Sequence, residues 1–265
     1  MPKLYDPFQL LFYANSLAIL TYFIGTLIYA LPIPLYGLKR WAPRLVSDGI
    51  YASVLINSFL GIIFLSNEIA EALGASWADF FSWASSVVNI QFSIFSSIRY
   101  VYALVSASGT PGLDFILAPL SFFSSMLTGT ITSIETIIVL AQIIDSNYAL
   151  LLALGVALFS IPFRIGRSIG AGLMASSTVF YIGLPYLPKF IAGILGSALP
   201  SFSQLLQNNP LDFVNLMAQS VLPAIINVTV FLPAAYIFIL AGLSAGLATA
   251  LSGGSSRLPF PIDIF

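Results

Sequence analysis

The stretch FQLLFYANSLAILTYFIGTLIYAL, from Phe8 to Leu31, carries no charged side chain across twenty-four residues. As a helix rising ~1.5 Å per residue it would reach ~36 Å, more than a bilayer's hydrocarbon core of about 30 Å. Lys3 is followed at once by acidic Asp6. A secretory h-region is roughly 7–15 residues long, so the stretch reads as an uncleaved first membrane span.

The rest of the chain has the same character. Of 265 residues, 58% are hydrophobic and 7% charged, where a soluble domain carries about 25% charged residues. Nineteen ionisable Lys, Arg, Asp and Glu side chains cannot coat a water-soluble surface of this size. The reading is an all-α, polytopic transmembrane helical bundle forming a single integral membrane domain over 1–265, in the cell membrane with the lipid bilayer as solvent. Cysteine and histidine are absent, which removes thiolate chemistry, imidazole proton shuttling and the usual zinc and haem sites. No phosphate-binding loop, nucleophile elbow, zincin helix or dinucleotide fingerprint is present, and the serines have no adjacent base. The expectation is a protein that is not an enzyme and holds no cofactor or metal.

Charge-free intervals and prolines parse the chain into about seven spans. The first ends at Pro32 and Pro34. The next four cover 49–65, 80–104 (interrupted by Arg99), 115–144 and 148–161, the last two joined by a tight connection at Asp145 and Asn147. The sixth covers 168–187. Over 190–222 the pattern, with Asn215, Gln219, Pro223 and Asn227 in one stripe, predicts a re-entrant or interfacial piece, followed by a seventh span over 224–250; two spans in this region are the alternative. With the N-terminus outside, Lys39, Arg40, Arg44, Arg99, Arg164, Arg167 and Arg257 fall in the cytoplasm, and only Lys3 and Lys189 outside. That asymmetry predicts N-out, C-in.

Two polar stripes stand out. Ser82, Ser86, Asn89, Ser93, Ser96 and Ser97 recur every three or four residues on the third span. Ser121, Ser125, Thr128, Thr132, Glu135 and Thr136 do so on the fourth. Small hydroxyl residues can serve as interhelical glue or line a hydrated path, and both readings stand. Ser86, Asn89, Ser93, Ser125, Thr128, Thr132 and Glu135 are thus candidate conduit or interface residues. Glu135 sits deep in its span, where an ionised carboxylate must be wetted or paired; the alternative is a buried, protonated group. Arg164 and Arg167 share a helical face after Pro162. They read as a topology determinant gripping head groups, or as a contact for a phosphate-bearing substrate or acidic partner. Gly166, Gly170 and Gly172, and likewise Gly242 and Gly246, offer small faces for close helix packing.

The block Ile161-Pro162-Phe163-Arg164-Ile165-Gly166-Arg167-Ser168-Ile169-Gly170-Ala171-Gly172-Leu173, set in a multi-span chain without catalytic residues, resembles the CedA family, the polytopic membrane subunits of the crenarchaeal DNA-exchange (Ced) system. Through it the chain is similar to the TrbL-type inner-membrane subunits of type IV secretion systems used in conjugation. The resemblance implies a homo-oligomeric membrane channel or platform through which single-stranded DNA passes transiently inward, working with a pilin-like small membrane protein and a cytoplasmic ATPase. The rival reading is a self-contained transporter or channel for a small solute or ion, with Glu135 as its coupling or selectivity group.

Overall fold

Asp6 starts the first helix. Its carboxylate accepts a hydrogen bond from the Phe8 N–H at 3.1 Å, and Pro7 takes the first helical position, where a missing N–H leaves nothing unpaired. The computed structural model describes residues 6–32, 39–108, 114–162, 165–196 and 210–253, and all regular structure among them is helical. The helices are α1 (Pro7–Ala30), α2 (Ala42–Asn57), α3 (Phe59–Ala72), α4 (Trp77–Ser108), α5 (Asp114–Phe159), α6 (Arg167–Gly183) and α7 (Leu187–Leu195). A continuous helical run follows, in which α8 (Pro210–Leu216), α9 (Leu222–Ile226) and α10 (Leu232–Ser252) are joined by π turns at Met217–Val221 and Asn227–Phe231.

The all-helical expectation holds among the described residues; of the about seven spans expected, four or five are matched by helices of sufficient length and apolarity. Among the described residues four helical runs are long and apolar enough to cross a membrane: Pro7–Ala30, Phe115–Phe159, Arg167–Leu195 and Leu211–Ser252. Counting the bent pair α2–α3 as one span makes five. α4, at 32 residues, has the length of a span but does not reach the same apolarity, its sequence being interrupted by serines, Asn89, Gln91 and Arg99.

Three local readings account for the difference. The connection predicted at Asp145 and Asn147 does not exist, because α5 runs through it for 46 residues, about 69 Å at ~1.5 Å per residue. Neither Gly nor Pro stands nearby to reverse the chain, and the Asn147 side-chain amide donates to the Ile143 carbonyl of its own helix at 2.9 Å. Two polar residues without a turn former cost a helix only tenths of a kcal/mol. Within unit 1 Arg167 nevertheless pairs with Asp48, one turn beyond Arg44 on α2, so these two basic residues stand at the same end of that unit. Lys3, Arg164 and Arg257 themselves lie outside the described residues.

The second reading concerns 49–65, expected as one straight span. It bends by 55° at Ser58. The Asn57 amide donates to the Ser53 carbonyl at 2.8 Å and the Ser53 hydroxyl to the Gly49 carbonyl at 3.0 Å. Such back-bonding draws carbonyls away from the helix ladder and bends it. The third concerns Pro223 and Pro233, expected to separate a re-entrant piece from a span. Each stands two residues beyond a π turn, whose extra residue makes room where a proline ring would strike the carbonyl four positions back. The run from Leu211 to Ser252 therefore continues unbroken.

Internal contacts gather in two compact units. Unit 1 takes the chain up to Gly74, Ile143–Gly183 and the stretch from Ile239 onward. Its α1 and α2 cross where a Cβ on Gly25 would lie 2.9 Å from the Val46 backbone nitrogen, and one on Gly49 2.9 Å from that of Tyr22. Only glycine permits so close an approach. Gly74, at φ +64°, ends α3. Unit 2 takes Ala75–Gln142 and Leu184–Phe238. Ser76 opens α4 there, its hydroxyl accepting from the Asp79 N–H at 3.3 Å. The core of unit 2 joins Ile94, Ile98 and Val101 of α4 to Leu120 and Leu127 of α5 and to Phe213 of α8, with Met217 and Ile225 beyond it.

Candidate functional site

The apolar positions of α4 and α5 in unit 2 turn toward the core just described, and their hydroxyl rows turn away from it. Gln91, fully buried, donates from its amide to the Thr130 hydroxyl at 3.1 Å. Counting outward from that pair along the two antiparallel helices sets Asn89 level with Thr132, Ser93 with Thr128, Ser96 with Ser125, and Ser86 with Glu135. All seven candidate residues, Ser86, Asn89, Ser93, Ser125, Thr128, Thr132 and Glu135, are exposed. On each helix they stand on the side turned away from the core of unit 2.

The hydroxyls on this face bond their own helices. Ser86 donates to the Ser82 carbonyl at 2.9 Å, Ser93 to Asn89 at 3.0 Å, Thr128 to Ser124 at 2.9 Å and Thr132 to Thr128 at 3.0 Å. The predicted interhelical glue is therefore carried by other residues: Gln91 with Thr130, and Ser133, whose hydroxyl donates to the Thr229 carbonyl at 3.1 Å. The signal for Gln91 was a single polar residue inside the apolar row Val87, Ile94, Ile98. Glu135 is exposed rather than buried. A carboxylate open to hydrocarbon at mid-membrane costs about 2.5–3.5 kcal/mol on insertion scales, so a face carrying it calls for water or another chain.

Arg99 of α4 is exposed as well. It lines a groove of about 330 Å³ with Tyr102 of α4 and with Ser121, Ser124, Ser125 and Thr128 of α5. Its guanidinium stands 5.2 Å from the centre of the Phe95 ring. Arg99 and Glu135 are not brought together; about 20 Å of helix separates their levels at ~1.5 Å per residue.

Arg167 is placed differently. Its guanidinium donates to the Asp48 carboxylate at 2.7 Å, and both side chains are largely buried, at 15% and 17% exposure. The same group lies 5.1 Å from the Phe159 ring centre and 5.8 Å from that of Tyr51. Within unit 1 it thus ties α2 to the end of α5. Arg164 lies outside the described residues. The nearby glycines pack as their spacing suggests. A Cβ on Gly170 would lie 2.5 Å from the Phe159 nitrogen, one on Gly155 2.6 Å from Met174, and Gly166 abuts the Leu158 carbonyl. Gly172, Gly242 and Gly246 face open space instead.

Sequence reasoning missed a polar clamp in unit 1. The Ser66 and Tyr148 hydroxyls lie 2.7 Å apart, Tyr148 stacks on Tyr181 at 4.0 Å, and the Tyr181 hydroxyl donates to Asn67 at 2.9 Å. The Asn215, Gln219, Pro223 and Asn227 row is exposed in unit 2. No group of three or more acidic residues stands close enough to hold a metal ion among the described residues.

A family model described as DNA import protein CedA1 matches residues 4–72. Over nearly the whole length, 264 residues, the chain is 40% identical to a DNA import protein CedA of Sulfolobus acidocaldarius, covering 98% of this chain and 99% of that one. No solved structure matches.

Proposed function

The chain belongs to the CedA family of DNA import proteins, and on that premise we propose that it is an integral membrane channel or platform subunit of a DNA-import apparatus, with the α4–α5 polar face lining the path. The observation that carries this reading is the face itself: Asn89, Thr132 and Glu135 stand exposed on the side opposite a well-packed apolar core. Such a face is poorly suited to lipid and well suited to a hydrated passage enclosed between copies of the chain. It carries little positive charge, so a polyanionic strand moving along it would not be held by a row of phosphate contacts.

The basic residues Lys39, Arg40 and Arg44 after α1 set the N-terminus outside and this segment in the cytoplasm. The chain offers no nucleotide-binding motif, so the driving force comes from a separate cytoplasmic ATPase, and a pilin-like small membrane protein completes the assembly, as in type IV secretion. Single-stranded DNA is a transient partner. A self-contained transporter of a small solute would enclose its coupling group, whereas Glu135 stands on an open face.

Mild-detergent purification of the tagged chain from native membranes tests the reading. Co-purification of a small pilin-like membrane protein and an ATPase is expected. A chain that purifies alone and moves a small solute across liposome membranes contradicts it.

A further inference from the structure

We infer that the groove beside Arg99 is a binding site for the phosphate of an anionic phospholipid headgroup, held between α4 and α5 at the surface of the bilayer. The inference rests on α4 crossing the membrane, as in the reading above.

Depth is the first argument. At one end of α4, Trp77, Phe80, Phe81 and Trp83 pack ring against ring with centroids 5.3 to 6.1 Å apart. At the other end stand Arg99, Tyr100 and Tyr102. About 30 Å of helix separates Phe80 from Tyr100 at ~1.5 Å per residue, the thickness of the hydrocarbon core. Aromatic clusters at that separation mark the two membrane–water interfaces. Arg99 then lies at the level of the headgroup phosphates.

Chemistry is the second. No carboxylate pairs with Arg99 among the described residues. Its guanidinium, stacked on Phe95, faces a groove whose other polar walls are the hydroxyls of Tyr102, Ser121, Ser124, Ser125 and Thr128. A planar cation sharing a groove with hydroxyl side chains matches a tetrahedral phosphate. Basic pockets between transmembrane helices on the cytoplasmic side take anionic headgroups on this principle.

Surroundings are the third. Phe92, 50% exposed, stands two turns toward the bilayer centre from Arg99, and Phe122, 60% exposed, stands at its level on α5. Both offer apolar surface to acyl chains. A nucleic-acid strand presents a phosphate at every nucleotide, yet the groove has one cation among its lining residues and, about 20 Å further along at ~1.5 Å per residue, the anionic Glu135. One phosphate is what this groove fits.

The test is lipid retention by the full chain purified in mild detergent from membranes rich in anionic phospholipid, read by native mass spectrometry and by phosphate assay after extraction. The wild type is expected to keep about one phospholipid per chain, Arg99→Gln to lose it about fivefold, and Arg99→Lys to keep most of it. An unchanged lipid content in a folded Arg99→Gln protein overturns the inference. So does displacement by millimolar inorganic phosphate, which would make the site one for the free anion. Loss of binding to a short single-stranded oligonucleotide in Arg99→Gln, with lipid unchanged, would assign the groove to the DNA strand instead. A wild-type chain that holds the lipid but is dispensable for DNA uptake in cells supports this inference while sinking the import reading.

Discussion

Gly170→Ala and Gly172→Ala add the same methyl group two residues apart on α6, and the structure gives them opposite consequences. On Gly172 a Cβ meets nothing within 4 Å. On Gly170 it would lie 2.5 Å from the Phe159 backbone nitrogen and 2.6 Å from the Gly155 carbonyl oxygen. Neither atom is the end of a flexible side chain, so α5 and α6 must part locally by about 0.9 Å to restore an ordinary contact. Overpacking of this kind costs ~1–3 kcal/mol. Both substitutions gain up to about 1 kcal/mol because alanine is the better helix former. Gly172→Ala should then be neutral or slightly stabilising, and Gly170→Ala less stable than it by about 1–3 kcal/mol. At roughly 2–4 °C per kcal/mol for a chain of this size, the two midpoints differ measurably. Thermal unfolding of the purified protein in one detergent, followed by circular dichroism, reads the difference. Coincident midpoints would refute the close crossing of these helices.

Glu135→Gln removes the exposed carboxylate and should leave insertion and helicity intact, or improve insertion by about 2–3 kcal/mol if lipid touches the face. DNA uptake by cells carrying it as the sole copy should nevertheless fall, and unchanged uptake retires Glu135 from the path. Asp48→Asn leaves the Arg167 guanidinium largely buried without its counter-ion; a loss of about 1–3 kcal/mol is expected, below the full buried-pair figure because both groups retain some solvent contact. The double variant with Arg167→Gln should lose less than the sum of the singles, and strict additivity would show that the pair is not coupled. Thr130→Val strands the buried Gln91 amide and should cost about 1–3 kcal/mol, whereas Gln91→Leu together with Thr130→Val should be near neutral. A double variant worse than the single would mean that the pair specifies the α4–α5 register.

Hydropathy made the helices legible because lipid imposes its demand residue by residue, and the polar rows were legible because period 3.6 survives any packing. What the sequence concealed was continuity. Asp145 and Asn147 look like a turn on charge alone, yet with no glycine or proline to reverse the chain the helix ladder simply continues. Pro223 and Pro233 look like breaks, yet a π turn before each absorbs the ring. The bend at Ser58 has the converse origin, since Ser53 and Asn57 draw on carbonyls of their own helix in a way no hydropathy window registers. At the candidate site the rows were read in advance, but the side they face was not. Serines exposed on a helix and serines between helices have the same spacing, and only the partners of Gln91 and Ser133 decide between them. The Ser66, Tyr148 and Tyr181 clamp joins residues more than eighty positions apart, beyond the reach of any local pattern.

The chain contains no cysteine, so single cysteines can be read without background, and they test most directly whether the α4–α5 face lines the DNA path. Ser86→Cys, Ser93→Cys, Thr128→Cys and Thr132→Cys, each the sole copy in cells, would be treated with a charged, membrane-impermeant thiol reagent while DNA uptake is measured. Phe238→Cys, at a residue 78% exposed and apolar, serves as the lipid-facing control. The face positions should be labelled and uptake should drop on labelling, with the control unreactive and uptake unchanged. Face cysteines that stay unreactive, or that react without any effect on uptake, would contradict the assignment of this face to the path.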